Sequence, residues 1–89
     1  MRLDKFLKVT GLIKRRPVAK ESAEEGVILL NGNKAKPSAV VKAGDKLEID
    51  MWNYYKAIEI LQVPTSNSIP KVKIPEHINV TEYRTKQPE

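Results

Sequence analysis

Lys14-Arg15-Arg16 stands immediately before Pro17, and proline at a first helical position marks a helix start whose unpaired backbone amides face the same volume as the arginine side chains. Such a volume suits a phosphate. A guanidinium adds a planar fork that pairs two phosphate oxygens or stacks on a base, which the point charge of lysine does not do. Arg2 and Lys5 lie in the preceding segment and Lys20 one helical turn beyond Arg16. Arg2, Lys5, Lys14, Arg15, Arg16 and Lys20 are therefore the candidate phosphate-binding residues. A solvated basic face with no ligand is the plainer reading of any one such run.

The distribution of charge favours the ligand. Residues 1–20 hold seven Lys/Arg and one acid, Asp4, whereas residues 21–63 hold five Lys/Arg and seven Asp/Glu. The whole 89-residue chain has sixteen basic and eleven acidic side chains, a formal net charge of +5. Positive charge gathered in one quarter of the chain is a local electrostatic footprint, and a polyanion is the partner it fits.

Other chemistries find little support. The sequence has no cysteine and one histidine, His77, so disulfides, thiolate catalysis and a Cys/His metal cage are excluded, and no cofactor or metal is expected. Asp4 lacks the partner acid or histidine that general-base work needs, and reads instead as a helix cap or the ion-pair partner of a nearby arginine. Trp52, Tyr54 and Tyr55 could stack on bases, but aromatic residues clustered at a hairpin are expected to pack on their own sheet. The glycines occupy turns and form no phosphate-cradling Gly-rich motif.

The elements that must position these residues follow from periodicity. Leu3, Phe6 and Leu7 fall at i, i+3 and i+4, with Arg2, Lys5 and Lys8 opposite, which predicts an amphipathic helix over 3–9 broken by Thr10-Gly11. Pro17 to Glu25, closed by Gly26, predicts a second helix whose small inward residues Ala19 and Ala23, beside Val18 and Ser22, allow close approach to the first. Val27 to Leu30, Asn31-Gly32 and Asn33 to Lys36 read as a hairpin with a primed turn. Beyond the Gly44-Asp45 turn, Lys46 to Met51 and Tyr54 to Val63 read as further strands, joined through Trp52-Asn53. Proline-rich residues 64–89 read as a mostly flexible tail, in which Lys71 to Ile74 could add an edge strand. The expected domains are thus 1–63, folded, and 64–89.

Taken in order, Arg2-Leu3-Asp4-x-x-Leu7, Arg15-Arg16-x-x-Ala19, Gly26-x-Ile28-x-x-Asn31-Gly32, Lys36-Pro37-Ser38, Val41 and Gly44-Asp45-x-Leu47 resemble an S4 RNA-binding domain over roughly residues 1–50. The resemblance implies an α+β, S4-type (αL-like) fold, two short packed helices followed by a small antiparallel sheet. The start of the chain and the run Leu12 to Arg16 are similar to the short stand-alone S4 proteins of bacterial ribosome quality control, the RqcP family, and to their heat-shock relative. That likeness implies binding to a stalled large ribosomal subunit, with contacts to 23S rRNA and to tRNA or peptidyl-tRNA. It also implies support of alanine tailing beside a NEMF-type tailing factor, with Arg2 and Arg16 foremost among the RNA contacts. Gly11 departs from the pattern, a basic residue being usual there.

The competing class is a protein-interaction adaptor that recruits its partner through the sheet edge or the tail. In that case Arg2, Arg15 and Arg16 would be dispensable. An enzyme is not expected, because the residues after the S4-like series are too few to hold a catalytic domain. The charged first residues and the lack of a long apolar run lead to the expectation of a cytoplasmic monomer without a membrane segment.

Overall fold

Leu3, Phe6 and Leu7 meet on one face of helix α1 (Leu3–Val9) and are fully buried, as their spacing requires. The computed structural model describes residues 1–86. The start of α1 is held from outside the helix: the Leu3 N–H donates to the Ala39 carbonyl at 2.7 Å and the Asp4 N–H to the Pro37 carbonyl at 3.1 Å. Orphan amides of the first turn are thereby satisfied by backbone. At the other end the Thr10 hydroxyl donates to the Phe6 carbonyl at 2.8 Å. Gly11 follows at φ +76°, a left-handed conformation that side-chain-bearing residues adopt at a cost. The unusual glycine is therefore the helix stop.

Helix α2 runs Arg16–Glu24, one residue earlier at each end than the sequence predicts, with Pro17 in its first turn. Ala19, Ser22 and Ala23 are buried, whereas Val18 faces solvent. Small side chains at the contact let α1 and α2 pack closely.

Strands β1 (Ile28–Leu30) and β2 (Asn33–Lys34) form the predicted hairpin, pairing Leu30 with Asn33. Asn31 at φ +52° and Gly32 at φ +86° take the two positive-φ positions of a primed turn. The turn is also clamped across the sheet: the Asn31 carboxamide donates to the Asp45 carboxylate at 3.1 Å and accepts from the Lys46 N–H at 2.9 Å. Strands β3 (Lys46–Asp50) and β4 (Tyr54–Ile60) complete the part that the sequence foretells. Ile28, Leu47, Ile49, Ile58 and Ile60 line the inner face of the sheet and close the core against α1.

The stretch read as a flexible tail is corrected over much of its length. Lys71–Glu76 is a 3-10 helix, and Ile78–Thr85 is strand β5, which pairs with β4 with one bulge, at Thr81. The sheet is five-stranded and antiparallel in the order β2-β1-β3-β4-β5. The proposed edge strand Lys71 to Ile74 therefore lies inside the 3-10 helix, with Val72 exposed. Pro70 and Pro75 flank it, and proline cannot donate to a ladder. β5 escapes a composition-based reading because its side chains, apart from half-buried Ile78, face solvent. Its stability comes from backbone pairing at an edge, which leaves little hydrophobic signal. Residues 87–89 of the expected tail lie outside the described residues.

The aromatic cluster divides. Tyr54 packs on Tyr83 of β5 at 6.2 Å between ring centroids, with the Lys56 ammonium 5.2 Å from the Tyr83 ring. The Tyr55 hydroxyl donates to Glu48 at 2.6 Å, and the Arg84 guanidinium lies 4.6 Å from its ring centroid. Trp52, expected to pack on its sheet, is instead 84% exposed at the β3–β4 turn.

Candidate nucleic-acid interface

Asp4 organises the basic residues. It is 2% exposed, and its carboxylate accepts from Arg2 at both oxygens, Nε to Oδ1 and Nη2 to Oδ2, each at 3.2 Å. The Lys5 backbone N–H donates to Oδ1 at 2.8 Å. Arg16, the first residue of α2, brings its Nε within 3.6 Å of Oδ2. A buried carboxylate is stable only with such partners. One acid at the start of α1 therefore holds two arginines from separate elements side by side. Asp4 is the ion-pair partner that its chemistry suggests.

The arginines remain available. Their side chains are 50% and 47% exposed, for Arg2 and Arg16 respectively, and a guanidinium carries five N–H donors, of which the carboxylate occupies a part. Two guanidiniums against one carboxylate leave an excess positive charge at the junction of the helices. Next to it opens a groove of about 270 Å³ lined by Lys5, Lys8, Val9, Arg16 and Asn67. No acid lines it among the described residues.

Of the six sequence-based candidates, Arg2 and Arg16 meet at Asp4, and Lys5 and Arg16 meet in the groove. Lys14, Arg15 and Lys20 are exposed around the start and first turn of α2 but do not line it. Three residues of the groove, Lys8, Val9 and Asn67, escaped the list. Lys8 lies three positions from Lys5 on the same helical face, a signal already present in the period. Asn67 had no signal, because it sits in the connection between β4 and the 3-10 helix, which only the fold carries back to α1.

A two-helix and sheet fold whose first helices present a basic cleft defines the S4 class, and the S4 domain model matches residues 1–47. The chain belongs to the S4 domain family, and within it is similar over most of its length to RQC P-site tRNA stabilizing factors. With that of Helicobacter pylori strain J99 it shares 46% identity over 74 residues, 80% of this chain and 84% of the relative. With that of Halalkalibacterium halodurans it shares 56% over 63 residues, 71% and 72% of the two chains. Among solved structures, the solution structure of hypothetical protein HP1423 superposes with a TM-score of 0.80 at 36% identity, covering 92% of this chain and 98% of that one. The trimeric structure of Vibrio cholerae Heat Shock Protein 15 gives 0.79 at 28% identity, covering 91% and 81%.

Proposed function

We propose that this protein is a non-catalytic RNA-binding factor of ribosome quality control. It engages the large ribosomal subunit through 23S rRNA, holds tRNA or peptidyl-tRNA of a stalled complex, and supports alanine tailing beside a NEMF-type tailing factor, acting as a monomer. The observation that carries this reading is the joining of Arg2 and Arg16 through Asp4, flanked by Lys5 and Lys8. Guanidiniums fixed in position lose less freedom on meeting a phosphate than free ones do. The names of the similar factors from Helicobacter pylori and Halalkalibacterium halodurans, which refer to P-site tRNA, support the same assignment. Residues 1–63 supply the cations of the interface in this reading.

Sedimentation of tagged protein from lysate through a sucrose gradient tests it, wild type beside Arg16→Ala. Wild-type protein is expected with large subunits that carry peptidyl-tRNA, and the variant at the top of the gradient with an unchanged melting temperature. Both proteins remaining at the top would overturn the proposal in favour of the adaptor reading.

A further inference from the structure

The groove beside α1 contains one residue that a phosphate site does not need. Lys5, Lys8 and Arg16 supply donors and charge, and none of them can accept a hydrogen bond. The Asn67 carboxamide brings an acceptor oxygen as well as a donor. A phosphodiester offers only acceptors, so that oxygen is of use only to a ligand group that carries its own hydrogen, and in a nucleic-acid backbone this group is the ribose 2′-hydroxyl.

The placement of Asn67 is set by the fold. Its loop leaves β4 with the Leu61 and Gln62 N–H groups donating to the His77 carbonyl at 2.7 and 3.3 Å, which ties the end of β4 to the residue just before β5. Pro64 is buried, and the Ser66 hydroxyl donates to the Ser68 carbonyl at 2.8 Å, closing a tight turn around Asn67. The loop is thus anchored at its base and at Pro64. Val9, nearly buried, is the apolar member of the groove wall.

We propose that this groove is a nucleotide subsite selective for RNA, in which Lys5, Lys8 and Arg16 hold successive backbone phosphates and Asn67 reads an adjacent 2′-hydroxyl. The inference rests on the RNA-binding reading above and adds to it a residue from outside the region matched by the S4 domain model. The loop after β4 is then part of the binding surface.

Fluorescence anisotropy with the full chain tests it, using a tRNA transcript and DNA of the same sequence as probes. Wild type is expected to prefer the RNA by about three- to tenfold, the factor that one net hydrogen bond contributes. Asn67→Ala should lose that preference by weakening RNA binding alone, while Arg16→Ala should weaken both probes by a similar factor. A transcript with 2′-O-methyl riboses checks the same contact without mutation, and should bind the wild type as weakly as the DNA does. An unchanged RNA-to-DNA ratio in Asn67→Ala, or equal binding of RNA and DNA by the wild type, would overturn the ribose contact and leave the basic interface standing. Wild type that binds neither probe would overturn the RNA-binding reading itself.

Discussion

Removing the Asp4 carboxylate would leave the Arg2 and Arg16 guanidiniums adjacent with nothing between them, in place of the shared acceptor they now have. Asp4 is buried and the arginines are half exposed, so the loss falls mainly on the fold of the α1–α2 junction. Asp4→Ala is expected to destabilise the protein by about 1–3 kcal/mol, the usual cost of unpairing buried polar groups, measured by thermal or urea unfolding. Arg16→Ala should change stability by less than about 1 kcal/mol, since an exposed ion pair contributes little. Equal losses in the two variants would show that Asp4 does not organise the pair. At this scale the sequence was informative about chemistry and silent about partners. It marked Asp4 as a helix cap or ion-pair residue and Arg16 as a phosphate ligand, but their meeting depends on how the helices cross.

Among the elements, β5 is the one that hydrophobic patterning could not reveal. It is held by the β4 ladder, by Tyr83 on Tyr54 and by Arg84 over Tyr55. On the neighbouring strands the Tyr55 hydroxyl is committed to Glu48, and this hydrogen bond, with lesser contributions from desolvation and nearby carboxylates, pushes the tyrosine up to about 12 from its ordinary 10.0. A raised pKa means that the folded state favours the neutral phenol. The contribution of this contact to stability is therefore fully present below about pH 10 and is lost as pH rises toward about 12. Spectrophotometric titration should show Tyr54 and Tyr55 both ionising late, Tyr55 toward about 12, and Glu48→Ala should bring Tyr55 forward. A titration unchanged by Glu48→Ala would exclude the hydrogen bond as the cause. The helices and the Asn31-Gly32 hairpin, by contrast, were legible because their determinants are neighbours in sequence.

For the molecule as a whole, the net charge of +5 matters less than its asymmetry. If Arg2, Lys5, Lys8 and Arg16 each meet a phosphate, log affinity for RNA should fall with log salt concentration at a slope of about −3, from roughly −0.7 to −0.9 per contact. Anisotropy titrations across a salt series measure this, and removal of one of the four cations should flatten the slope by about one contact. A flat dependence would mean that the basic face is only solvated. Exposed Trp52 and Tyr83 carry no charge and take no part in that slope.

The sequence by itself determined the two helices, the primed hairpin, the inward positions of β3 and the concentration of positive charge near the start of the chain. Each follows from residues a few positions apart, where period, turn chemistry and local charge act directly. The tertiary structure alone decided that Asp4 joins Arg2 to Arg16, that a strand forms from Ile78 to Thr85, and that Asn67 reaches the Lys5–Lys8 face. Apart from Arg2 with Asp4, these pairings join residues distant in the chain. Backbone ladders and ion pairs between such residues leave no periodic trace, because what selects them is the packing of α1 and the sheet around a shared core.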